Sequence, residues 1–198
     1  MNNDKTYFDH ITMTGRLVYI FMCIEEYLVN LYPDKDWTPV ALKMWQWTNK
    51  MWDEGFDIYL IVVPENILEF DSYEETKSRA FDGNLDKTDY DAMVSLFSGI
   101  TDGDSDDEIN RVLYAPVDFN GYCEGTGVSW AMPYVDETIK ELEEILISRN
   151  IPLPDKTKLD HFRYDDARKP GPLEKDPRWG EFEETESFSI ILKNNNDE

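Results

Sequence analysis

The sequence predicts a mainly α protein, a multi-helix bundle or stacked helical hairpins, with an irregular, proline-rich C-terminal tail wrapping the body. Three observations lead there. Apolar residues recur at helical spacing through most of the first three quarters of the chain. Four of the six tryptophans crowd into Trp37–Trp52 with that same period. The β-rich runs, Val128 to Met132 and Phe188 to Leu192, are brief and far apart, so a strand would lack a neighbour.

The first helix is expected from about Thr14 to Leu31. Leu17, Ile20, Phe21, Ile24, Leu28 and Leu31 form one stripe and Val18, Met22 and Val29 a second. Glu25, Glu26 and Asn30 are its plainly polar positions and are expected to face water. Pro33 ends it, because a proline biases the preceding residue away from helix. The tryptophan stretch is expected to be one helix, with Thr38 as N-cap, Pro39 at the first helical position and Gly55 just past the end. Val40, Met44, Trp47 and Met51 then share its inner stripe, Trp45 and Trp52 lie beside it, and Lys43, Gln46 and Lys50 face away. Burying indoles at about 25 cal/mol per Å² favours a packed core over an aromatic ligand box. The two helices would pair as a hairpin.

Phe56 to Val63 is read as helix, although its β-branched residues also suit a strand. Pro64 restarts a short helix through Leu68, and Asp71 to Arg79 follows as a solvated helix or linker. Thr88, with Asp91 three residues on, is expected to cap a helix whose inner face is Met93, Val94 and Phe97, stopped by Gly99. Asp106 to Tyr114 reads as a short helix ended by Pro116. Asp118 to Met132, with Gly121, Gly125 and Gly127, is expected to be a loop. Val135 to Arg149 reads as the last strong helix, closed by Asn150 and Pro152. Residues 1–152 are thus expected as one acidic helical domain. Residues 153–198 form a proline-rich segment docked on it through Leu159, Phe162, Tyr164, Trp179, Phe182 and Phe188 to Leu192. No internal repeat of fixed period stands out.

The charge is lopsided. With 42 acidic residues against 19 basic ones, the net charge is −23 over 198 residues. Such a field repels nucleic acid and anionic membrane, and the one basic cluster, Arg163 to Lys169, is interrupted by Asp165 and Asp166. Direct nucleic-acid and membrane binding are therefore not expected. A basic protein partner is favoured instead, while acidity serving only solubility is the plainer alternative. Met1 to His10 lacks a basic n-region, and the apolar run Leu17 to Ile24 is too short to span a bilayer. Cys23 and Cys123, a hundred residues apart, suggest no disulfide, so a reducing cytoplasm fits best.

No motif identifies a reaction. Asp102, Asp104 and Asp106 imitate the first ligands of a calcium loop, but Asp107 stands where glycine is needed and Leu113 where a bidentate glutamate is needed. A second start at Asp82, Asn84 and Asp86 fails likewise at Lys87 and Met93. The plainer reading is an acidic turn in which Asp104 or Asp106 caps the next helix; the other is a partner-facing patch formed by Asp102, Asp104, Asp106, Asp107 and Glu108. The loop at Gly121, Gly125 and Gly127 matches no phosphate-binding or nucleophile motif, Trp130 standing where a third glycine would be. A Cys123–His161 dyad with Asp160 lacks support, and no zinc spacing is present. No metal, cofactor or catalytic residue is expected. Glu25 and Glu26 are the carboxylates of most interest, since partial burial on an apolar helix raises a pKa.

The hairpin Leu17 to Trp52, the Trp-rich second helix, and the closing Trp179-Gly-Glu-Phe182 and Phe188-Ser-Ile-Ile-Leu192 resemble the helical immunity proteins encoded beside bacterial polymorphic and contact-dependent toxins. That resemblance is one of general character and carries no site residue. It implies a cytoplasmic, non-enzymatic protein that binds a toxin domain and covers its working surface. The expected function is accordingly toxin neutralisation by electrostatically steered binding, with Asp102 to Glu108 as contact region. The alternative is a small-ligand-binding domain or enzyme with a Trp-lined pocket and the carboxylates Glu25 and Glu26. An adaptor without a toxin differs from the first only in its partner.

Overall fold

A computed structural model describes residues 7–50, 52–77, 84–165, 176–181 and 183–194, the side chains of Trp52, Asp53 and Asn194 excepted. The described residues are helical, as the periodicity predicts, and their one bridge of β type joins Ile11 to Arg163. Helix α1 (Met13–Leu31) is the central rod. It is capped by Thr12, whose hydroxyl accepts from the Gly15 N–H, and it packs against α7 (Glu108–Cys123), α8 (Val128–Ser148) and the tail. Cover on so many sides buries nearly its whole length, so its two apolar stripes are both used.

The tryptophan stretch is not one helix. Helix α2 (Thr38–Trp45) has Trp37 rather than Thr38 at its N-cap, and a 3₁₀ turn, Gln46–Asn49, follows it. Helix α3 (Trp52–Tyr59) then starts afresh. Gly55 lies inside α3 rather than past the end of α2, and packing explains why: a Cβ there would meet Trp47 Cδ1 at 2.6 Å and the Trp47 carbonyl oxygen at 2.7 Å. Tightening the turn brings Trp45 and Trp47 together onto Phe21, with ring centroids 5.3 and 6.1 Å away. Met51 and the ring of Trp52 lie outside the described residues.

Phe56 to Val63 is helical, as α3 and a 3₁₀ turn. Helices α4 (Pro64–Leu68) and α5 (Tyr73–Thr76) continue the pattern, with Thr76 buried where a solvated segment was expected. Asp82 lies outside the described residues. Helix α6 (Lys87–Phe97) is capped by Asp86, not Thr88, through the Asp89 N–H at 2.8 Å.

The largest departure is at α7 and α8. Helix α7 runs through Pro116 to Cys123, and α8 begins at Val128 and runs through Pro133, so the expected loop from Asp118 to Met132 shrinks to residues 124–127. A proline inside a helix costs about 3 kcal/mol. Pro116 is itself buried, on a helix whose Val112, Leu113 and Phe119 are fully buried, and that apolar burial offsets the lost bond. Past α8, Asn150 takes a φ of 57° and the Ile151 N–H returns to the Leu146 carbonyl at 2.9 Å.

The tail folds back along α1. Leu159 and Phe162 are buried, the Thr12 N–H donates to the Phe162 carbonyl at 3.0 Å, and the Tyr164 N–H donates to His10 at 3.1 Å. Buried Arg16 pins the N-terminal turn by donating to the carbonyls of Phe8 and Ile11 and to Asp136. Gly180 adopts a φ of 81°, and this lets the Thr14 hydroxyl bond the carbonyls of Trp179 and Glu181 at 3.0 and 3.2 Å. Helix α9 (Ile190–Asn194) closes over α1 and α2. Phe182, Pro170, Pro172 and Lys169 lie outside the described residues.

Candidate functional site

Three places gather the chemistry-bearing side chains. At the first, Glu25 does not face water as expected: it is 0% exposed. Its carboxylate accepts from Trp45 Nε1 at 2.7 Å, from the Ser189 hydroxyl at 2.5 Å and from the Ile190 N–H at 2.6 Å. Burial pushes its carboxyl above the ordinary range, and these hydrogen bonds pull it part of the way back. The group thus ties the tail's last helix to the tryptophan turn. Its lone pairs are spoken for, which leaves little to act as acid or base. Glu26, half-buried, accepts from Asn30, and burial raises its carboxyl as well. The cavity beside these two carboxylates, about 180 Å³, is lined by Met22, Leu153, Pro154 and Phe188 rather than by tryptophans. Trp37, Trp45 and Trp47 are instead packed shut.

The second place is the acidic turn before α7. Asp107, not Asp104 or Asp106, occupies the N-cap, and its Oδ2 accepts from the Thr101 hydroxyl at 2.5 Å. Asp104 accepts from the Asp106 N–H at 2.9 Å. Glu108 takes both Nε and Nη2 of Arg149, at 2.9 and 3.0 Å, and the hydroxyl of Tyr27 at 3.1 Å. Asp102, Asp104 and Asp106 are exposed, whereas Asp107 closes the turn on Thr101 and Glu108 ties it to α1 and to the end of α8. Of the five, three are therefore directed outward.

The third place is the antiparallel face of α7 and α8, which the sequence reading concealed by ending a helix at Pro116. Tyr114, Asp118 and Tyr122 stand one turn apart on α7; Trp130, Tyr134, Thr138 and Glu141 do the same on α8. The spacing of four was visible all along. Tyr122 stacks on Tyr134 with centroids 5.2 Å apart and planes 22° apart, and Trp130 tilts onto Tyr134 at 4.6 Å. Trp130 is 50% exposed and Tyr134 46%. Beside the rings runs a groove of about 310 Å³ whose polar lining is Glu65, Ser105, Asn110, Arg111, Tyr114, Asp118, Thr138 and Glu141, three carboxylates to one guanidinium. Ser105 brings the acidic turn to its far end.

Along that groove the polar groups divide. Glu65 accepts from buried Asn110 at 3.0 Å, and Thr138 donates to the Tyr134 carbonyl at 3.2 Å. Asp118 and Glu141 neither hydrogen-bond nor form an ion pair with any described residue. Partial burial, and then the charge of Glu141, raise the Asp118 carboxyl above its ordinary range. Two like charges facing one groove are a standing repulsion that a cation would relieve.

The remaining candidates do not assemble. Burial pushes the Cys123 thiol up to about 12, and the His161 Nε2 lies 2.8 Å from Glu183 while Asp160 holds Tyr7 and Arg163. A thiol so hard to ionise is a poor nucleophile. Among the described residues no cluster of His, Cys, Asp and Glu is placed to hold a metal, and no helix is long and apolar enough to cross a membrane. Comparison of the chain with protein-family models, with curated protein sequences and with solved structures finds no match.

Proposed function

We propose that this protein is an immunity-type binder that neutralises a toxin domain by tight, electrostatically steered association. The observation that carries it is the ring stack of Tyr122, Tyr134 and Trp130, the last two half exposed, beside a groove with three carboxylates to one guanidinium, on a chain of net charge −23. Half-exposed tryptophan and tyrosine are the side chains that dominate protein interfaces, whereas a solubilising surface needs only charge. Outward carboxylates at Asp102, Asp104 and Asp106 extend the same face and would speed encounter with a basic partner. Toxins that act on nucleic acid need basic surfaces, so an acidic binder competes with the phosphates they bind.

The alternative of a small-ligand site or enzyme around Glu25 and Glu26 has less to stand on. Glu25 is saturated with hydrogen bonds and the tryptophans leave no space between them. The test is to mix the purified protein with the product of its neighbouring gene. A tight complex is expected, with loss of the toxin's activity and an association rate that falls steeply with salt. Absence of a complex would overturn the proposal.

A further inference from the structure

We propose that Tyr122, Tyr134 and Trp130 are the docking anchor for an arginine-bearing segment of a basic protein, an inference that rests on the binder reading and names its surface and the chemistry that fills it. The rings are already ordered against one another, with Tyr134 in the middle of the stack, so a partner loses little freedom in fixing them. Their exposed faces offer what a guanidinium seeks, a flat π surface on which a weakly hydrated planar cation stacks. One turn along α7 from Tyr122 stands Asp118, and two turns along α8 from Tyr134 stands Glu141. Both carboxylates open on the groove, and neither hydrogen-bonds or forms an ion pair with a described residue; Arg111 lines the same groove, where Glu65, Asp118 and Glu141 outnumber it. A segment that stacks one arginine on the rings can lay a second along the groove, where guanidinium N–H groups pair with carboxylate oxygens.

The division of labour follows from position. The outward acids of the 102–108 turn, at the far end of the groove, act at long range and set the rate of encounter, while the rings and the Asp118–Glu141 pair hold what has arrived. Lysine fits less well, for its compact ammonium is strongly hydrated and lacks a plane to stack.

The probe is a fluorescein-labelled octaarginine peptide, compared with octalysine at equal salt and followed by anisotropy. Octaarginine is expected to bind several-fold more tightly than octalysine. Trp130→Ala and Tyr134→Ala should each weaken it about tenfold, with Trp130→Phe between them and the native protein. The pair Asp118→Asn with Glu141→Gln should weaken it about as much. The triple Asp102→Asn, Asp104→Asn, Asp106→Asn removes one charge more yet should weaken it only about two- to threefold, as expected for screened, distant charges. All these positions are at the surface, and a cooperative urea transition with a midpoint close to or above the native one verifies that each variant is folded. Ring variants that bind like the native protein would overturn the proposal. So would a turn triple that loses as much as the groove pair, because net charge would then suffice. The peptide needs no toxin. Binding through the rings without any complex with the neighbouring gene product would leave the anchor standing and remove the toxin; neutralisation undiminished by Trp130→Ala would do the reverse.

Discussion

Trp45 and Trp130 both stand on helices beside carboxylates, yet the chain handles them in opposite ways. Around Trp45 the indole is sealed, its N–H goes to Glu25, and that carboxylate also collects the Ser189 hydroxyl and the Ile190 N–H. Around Trp130 the indole is half exposed, and further along the same face Asp118 and Glu141 neither hydrogen-bond nor form an ion pair with a described residue. The first arrangement spends every polar group on holding the tail to the bundle. The second leaves apolar area and charge unsatisfied, at a cost in stability that a partner can recover on binding. Where a protein keeps its unsatisfied groups is where free energy remains to be gained.

Breaking the interior arrangement should have the largest effect. Glu25→Ala strands three buried donors at once and should destabilise by about 3 kcal/mol or more, read as a fall in the urea midpoint. The tail should come loose with it: the amides of the α9 end should lose hydrogen-exchange protection before the rest of the molecule. Gly55→Ala drives a methyl into Trp47 and should cost roughly 1–3 kcal/mol by the same measurement. Near-native stability in that variant would show that the turn after α2 is looser than its packing.

Acidity sharpens the contrast further. The Glu25 carboxyl titrates above the ordinary glutamate range, so between the two pKa values the folded state holds a proton that the unfolded chain releases. Stability from this group is full below the ordinary glutamate pKa and is lost as pH rises through the raised one. Native protein should therefore lose stability across that window more steeply than Glu25→Gln, although Glu26 and Asp118 titrate in the same direction in both. Equal slopes would mean that Glu25 feels no net penalty from burial.

At the surface the expected effects on stability are small and differ in sign from those on binding. Asp118→Asn relieves the repulsion with Glu141 and should stabilise by ~0.5 kcal/mol or less while weakening association. Trp130→Ala should change stability by less than about 0.5 kcal/mol, since the ring is half in water. A large loss there would make the ring stack part of the core.

Much of this was legible in the chain. Helical period placed α1 to within a residue, because its two apolar stripes leave no other fold for it, and the same period made Phe56–Val63 helical despite its β-branched residues. What failed was punctuation. Pro116 and Gly121 are stop signals locally, but burial of Val112, Leu113 and Phe119 outweighs them, so a tertiary effect carried α7 across a predicted loop. The ring stack was lost by the same error, since Tyr122, Trp130 and Tyr134 share a face only if both segments are helical. Gly55 misled in the other direction: it marks a close approach to Trp47, not a helix end. Glu25 shows the limit of pattern, because the polar edge of a helix faces water only if no later segment lies over it, and here Ser189 and Ile190 do.

The most direct test is fluorine NMR of protein labelled with 5-fluorotryptophan, each signal assigned by a single Trp→Phe substitution and followed during titration with octaarginine. The expected result is a saturable shift of the Trp130 signal alone, with Trp45 and Trp47 unmoved and insensitive to exchange of H₂O for D₂O. Movement of the Trp45 or Trp47 signals with Trp130 unchanged would contradict it, placing the ligand inside the bundle and not on its acidic, aromatic face.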